Sequence, residues 1–542
     1  MNEKTIERHV APVFDRRGNP EWKSMMSPPD NSVAVIHMIP DRIIPVIFVP
    51  GVMGSNLKGT GVAAGIDWKL DSAGSMVHWL FRGAKERKLS LTPATMELDD
   101  RGAIPQGTQH GEEELQRRGW GEVGAMSYAP FLVWLENALN DFDNPKAGER
   151  VRLMNENLRA LLGEVVLSNE AVGLSYRYRF AVHACGYNWL DSNAHSAERL
   201  AQRIDEVVAR YRAERKKCEK VILVTHSMGG LVARYCSELS GMQDKIFGVV
   251  HGVMPALGAA AVYRRFKAGT EFTPWYSVLG ATSAAVLGDD AGEMTAVLSS
   301  APGPLQLLPT AEYGNGWLQI KDGKHKYSFP KDGDPYSEIY AVRGKWWSMC
   351  EDRLMNPLNE ERDPKKRQAQ TDADWQAFKD TIEEKVKPFH ESIRSKYHSN
   401  TCAFFGSDND KRAYGKVTWT GNGGGWLRGD RPADVLGARP VGGIELGTTR
   451  TVAAPLGGTG WATGEHQSYS LSEPEEAGDG TVPHRSGVAA KDFVRAFLQV
   501  DVGHEPAFNH TKGQDNLRAC RFTLRSIVLI AQAVQETSLR YE

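Results

Sequence analysis

The sequence predicts an α/β protein with a mostly parallel, doubly wound central sheet and a large insertion. Three observations predict it: short β-branched apolar runs, helical periodicities between them, and a long stretch in which this alternation stops. The first run, Ile43–Val49 (IIPVIFV), ends at Pro50-Gly51, as a buried parallel strand followed by a tight turn does. A second, Arg177–Ala184, leads into Gly186-Tyr187-Asn188-Trp189, and Ala197, Leu200, Ile204, Val207, Val208 and Tyr211 then recur at the spacing of one helix face. Lys220–Val224 (KVILV) is a third strand, and the LVARYCSEL that follows Thr225–Gly230 has good helix formers and no breaker. Lys245–Val250 is a fourth. After the insertion, core character returns with Phe493–Val502 and a final helix, Leu517–Ala533.

The alternation fails between Pro255 and Gly478. Residues 1–255 and 478–542 are therefore expected to form the core, and 256–477 an inserted cap. Within the cap, Trp375, Phe378, Ile382, Val386 and Phe389 predict an amphipathic helix in a highly charged stretch; it packs on the body or contacts a membrane. The glycine-rich 421–465 contains GNGGGW, which lacks the flanking strand, helix and acidic partner of a nucleotide-binding turn.

Composition narrows the function classes. The 542 residues carry 65 Lys and Arg against 67 Asp and Glu, a formal charge of -2, so no global basic field gathers nucleic acid. The apolar stretches Ile43–Met53 and Ser526–Val534 fall well short of the ~20 residues that span a bilayer. The first residues, MNEKTIERHVAPVF, lack the apolar centre of a secretory signal, and the six cysteines form no C-x-x-C pair. A protein made and folded in a reducing cytoplasm, with no cofactor, is the expectation. Asp289, Asp290 and Glu293 leave calcium open beside the simpler reading of a solvated loop.

The chemistry concentrates in three short segments. Thr225-His226-Ser227-Met228-Gly229 follows an apolar strand and opens a helix, the context in which a serine sits on a sharp, strained turn with its hydroxyl projecting from the sheet edge. A helix-capping serine would fit the same residues. A serine hydroxyl is a weak nucleophile unless a base and an orienting acid accompany it. Asp479, in the permissive turn Gly478-Asp479-Gly480-Thr481, and His504, just past the apolar FLQVDV, supply both in the order Ser, Asp, His. His510, six residues on, lies nearer the final helix.

Taken together these segments resemble the lecithin:cholesterol acyltransferase-like family of lipases within the α/β-hydrolases. The resemblance rests on Pro45–Ser55, on Gly186-Tyr187-Asn188-Trp189, on Thr225–Gly230, on Gly478–Pro483 and on Gly503-His504. The chain departs from the family pattern at Asn188, where the family carries Asp, and at Thr225, where Gly is common. Arg118-Gly119-Trp120-Gly121-Glu122-Val123 and His251-Gly252-Val253-Met254-Pro255 look like segments of bacterial lipases deployed as type VI secretion effectors. The resemblance implies an α/β-hydrolase fold with an inserted cap, catalytic Ser227, Asp479 and His504, and an oxyanion hole made by the amides of Val52 and Met228. It implies hydrolysis of glycerophospholipid acyl esters through an acyl-enzyme, peripheral contact with membrane, delivery to a target-cell periplasm, and an immunity protein and secretion carrier as partners. An acyltransferase using the same intermediate and a non-catalytic binding module of the same fold are the alternatives.

Overall fold

A computed structural model of the chain describes residues 6–541 except 24–30, 73, 75–78, 80–81, 143–146, 165, 271–287, 423–426, 429–430, 433 and 454–465. Six strands form the central sheet: β1 (Val46–Val49), β2 (Val182–Ala184), β3 (Val221–His226), β4 (Ile246–Gly252), β5 (Thr401–Gly406) and β6 (Ala496–Val500). They lie in the order β6-β5-β4-β3-β1-β2, and every pairing is parallel. The strands read as continuous apolar runs because the sheet is covered on both faces. Period-2 alternation then divides their side chains between two cores. Ile47, Val49, Val221, Leu223 and Val249 point to the face packed by α2 (Asn193–Ala213). Val46, Phe48, Ile222, Val224 and Val250 point to the face packed by α1 (Ala125–Leu139) and α4 (Gln514–Ala531).

Local signals fix the flanking helices. α2 starts where the Ser192 hydroxyl accepts the Ala194 amide, and its stripe from Ala197 to Tyr211 is buried. At about 2 kcal/mol for each large aliphatic side chain removed from water, that stripe holds the helix to the sheet. α3 (Gly229–Leu239) follows β3 directly, so the β3–α3 junction is a sharp corner at the sheet edge.

One expectation is corrected. The stretch 256–477 is not a single insertion, because β5 falls within it and is hydrogen-bonded between β4 and β6 in the middle of the core. Its six residues, TCAFFG, are all buried. What remains is two excursions, before and after β5, and they share a second sheet. Leu318–Asp322 of the first pairs in parallel with Val417–Gly421 of the second, which continues through Gln467–Leu471 to Thr449–Ala453. The charged stretch forms helix Pro364–Asp380, a wider turn at Thr381–Val386 and helix Lys387–Ile393, and all five residues of its predicted apolar stripe are buried in the protein. That stripe packs on the body. No helix among the described residues is long and apolar enough to cross a membrane. Much of GNGGGW lies outside the described residues.

Candidate active site

Ser227 occupies the corner between β3 and α3 with φ of +52°, a left-handed conformation that costs a non-glycine residue of order 1 kcal/mol or more. Its amide is fixed by the Gly252 carbonyl at the end of β4 (3.0 Å). Close packing makes the corner possible. A Cβ on Gly229 would stand 2.4 Å from the Pro50 carbonyl oxygen, and one on Gly51 would stand 3.0 Å from the Ser227 Cβ. The turn after β1 is thereby pressed against the serine.

Asp479 and His504 reach this corner from loops beyond the far strands. His504 Nδ1 donates to Asp479 Oδ2 at 2.8 Å, which leaves Nε2 to accept the Ser227 hydroxyl, also at 2.8 Å. The carboxylate is held in turn: its Oδ1 accepts the amides of Thr481 (3.0 Å) and Val482 (2.7 Å), and the His504 amide donates to the Asp479 carbonyl. Asp479 has a side chain 1% exposed and His504 one 15% exposed, so the acid is sealed and the imidazole keeps an opening. The three residues singled out from the sequence are thus brought into one hydrogen-bonded line. His510 is not part of it and stacks on Trp134 with ring centroids 5.9 Å apart.

Val52 and Met228 flank the serine from the β1 turn and from the start of α3. Neither backbone amide has an acceptor among the described residues, which suits a pair of donors for developing negative charge. The acidic run Asp289–Glu293 makes local contacts. Asp290 caps helix Ala291–Leu298 by accepting the amides of Gly292 and Glu293, and Glu293 lies beside Arg87 at 3.4 Å.

Two side chains that no motif announced support the line from behind. The Tyr128 hydroxyl, on α1, accepts the Gly51 amide (3.1 Å) and donates to His226 Nδ1 (2.9 Å), while His226 Nε2 donates to the His504 carbonyl (2.9 Å). Tyr128 therefore ties the β1 turn to the loop that carries His504. Removing it leaves a buried amide and a buried ring nitrogen unsatisfied, at about 1 to 3 kcal/mol each. Tyr128→Phe is expected to lower both the unfolding free energy by that order and turnover, with denaturant titration and ester hydrolysis as the two readouts. Full activity and stability in that variant would show the tie to be idle.

The departures from the family pattern also acquire physical reasons. Asn188 Nδ2 donates to the carbonyls of Pro93 (3.1 Å) and Met96 (2.8 Å), which a carboxylate could not do. Thr225 bonds through its hydroxyl to His251 Nδ1 (2.8 Å). Burial lowers the pKa of His251 and of His226 to about 3. Both rings stay neutral in the fold and take up a proton on unfolding below about pH 6.5, so stability is full above that pH and falls as pH drops toward 3. His251→Gln is expected to flatten the pH dependence of unfolding free energy between pH 6 and 4 by up to about 1.4 kcal/mol per pH unit, measured by denaturant titration.

A parallel sheet covered on both faces, a strained serine at a strand–helix corner and a histidine and aspartate delivered from later loops define an α/β-hydrolase fold. Comparison with known proteins agrees. Residues 191–264, which contain α2, β3, the serine corner, α3 and β4, match a family described as the PGAP1-like alpha/beta domain. Among solved structures, a chain of "The crystal structure of Tle4-Tli4 complex" is 28% identical with a TM-score of 0.70, over 90% of this chain and 98% of that one. No curated protein matches the sequence.

Proposed function

We propose that the chain is a serine ester hydrolase that cleaves acyl esters of glycerophospholipids. The observation that carries this reading is the line from Asp479 through His504 to a serine held at positive φ. In it, the Ser227 oxygen attacks the ester carbonyl while His504 Nε2 takes its proton, and Asp479 stabilises the imidazolium and its orientation. The amides of Met228 and Val52 receive the oxyanion. The imidazolium then protonates the departing alcohol, and water, deprotonated by the same nitrogen, resolves the acyl-enzyme. Incubation with phosphatidylcholine or phosphatidylethanolamine vesicles, with mass spectrometry of the released lipids, tests this directly. Free fatty acid and lysolipid are expected from the wild type and neither from Ser227→Ala; no release from any acyl ester would sink the proposal.

The setting we propose is that of a type VI secretion effector acting on the membrane of a target cell, with an immunity protein as partner and a secretion carrier. The likeness to a chain solved in the Tle4-Tli4 complex supports it, together with the segments at Arg118–Val123 and His251–Pro255. Export of the chain to the periplasm of a susceptible Gram-negative cell is expected to arrest growth, with Ser227→Ala harmless. Equal growth with the two would remove the effector reading and leave the hydrolase.

A further inference from the structure

On the solvent side of α1, with Tyr128 on its inner side, lies a cavity of about 850 Å³. That size suits a compact organic ligand. Phe14, Met126, Pro130, Val133 and Trp134 give it apolar and aromatic walls. Arg179, just before β2, forms part of the lining and is only 6% exposed, yet it has no ion pair and no side-chain hydrogen bond among the described residues. Its guanidinium lies over the Phe14 ring, 5.1 Å from the centroid.

The neighbouring charges are all engaged. Glu136 pairs with Arg118, Asp141 with Arg150, and Arg152 with Glu149. Two groups of the lining, His110 Nδ1 and His510 Nδ1, are sealed without a hydrogen-bond partner among the described residues. A guanidinium that opens on a largely apolar cavity is best met there by an anion, and its planar fork suits carboxylate and phosphate above other anions. Burial and the adjacent Arg118 push the Arg179 pKa down, and the attraction of Glu136 and Glu114, both committed to other arginines, does not restore it.

We propose that this cavity binds an amphiphilic anion, its carboxylate or phosphate head on Arg179 and its apolar body against Val133, Pro130 and Trp134. The site is separate from Ser227 and does not depend on the catalytic reading. Because α1 carries Tyr128 on its inner side and His510 lies on the loop after His504, an occupant would bear on both elements that hold the serine's partners.

The test is calorimetric titration with decanoate, decyl phosphate and decanol on the full chain, and on Arg179→Gln, Val133→Trp and Ser227→Ala. Decanoate or decyl phosphate is expected to bind one to one and at least about 10-fold more tightly than decanol. Arg179→Gln is expected to erase that preference, Val133→Trp to block binding by projecting an indole across the wall that holds the apolar body, and Ser227→Ala to leave it unchanged. A carboxylate preference would identify a free fatty acid as the source, and a phosphate preference a lipid headgroup. Equal binding of decanol and the anions, or anion binding that survives both cavity variants, would overturn the proposal. Should Arg179→Gln fail to fold, Arg179→Lys with retained anion preference and Val133→Trp without binding give the same decision.

Discussion

Ser227→Ala is expected to abolish ester hydrolysis while leaving the folding free energy within about 1 kcal/mol of wild type. Among the described residues the hydroxyl makes one side-chain hydrogen bond, to His504, and the corner is built by backbone contacts that alanine keeps: the amide to Gly252 and the close approach of Gly51 and Gly229. Loss of activity without loss of structure is therefore the signature of chemistry and not of packing. Hydrolysis measured on vesicles, beside a thermal melt, gives both quantities. A folded Ser227→Ala protein with undiminished turnover would mean that the hydrogen-bonded line is structural.

The second large effect separates two histidines. His504→Ala is expected to lower kcat by at least about 10⁴-fold and His510→Ala by less than about 10-fold. The reason is geometric. His504 stands 2.8 Å from the serine oxygen, within reach of a general base, whereas His510 stacks on Trp134 at the outer cavity. Steady-state kinetics on the two purified variants decides between them, and the reverse ranking would reassign the base.

The parts of the fold that read clearly from sequence are those whose signal is local. β3 and β4 begin as apolar runs, α2 carries its stripe at helical spacing, and the Thr225–Gly229 segment spans the end of a strand and the start of a helix, where the turn chemistry requires it. The segments of Asp479 and His504 also carry local signals, the first a turn with Gly480 at φ of +91° and the second the end of the buried strand β6. β5 is not legible in this way: its six residues, TCAFFG, stand between a charged helix and the charged strand Asp408–Ala413, and only the partners β4 and β6 reveal it. Tyr128 has a role that exists only in three dimensions. It sits in an ordinary apolar helix 98 positions before His226, and nothing in its own neighbourhood says that its hydroxyl is spoken for.

The placement of β5 has a bearing on how this chain can be cut and recombined. A cap that leaves and rejoins a core once can be excised, or exchanged with that of a relative, by two cuts. Here the same operation on residues 256–477 would pull out a strand between β4 and β6 and leave two facing edges of the sheet with unpaired amides and carbonyls. A chimaera that preserves the core needs four junctions, two on each side of Thr401–Gly406, and both transplanted pieces must come from one donor, since Leu318–Asp322 and Val417–Gly421 are mutual partners. The two excursions are thus exchangeable as a matched pair of parts threaded around a fixed strand, and not as a single block.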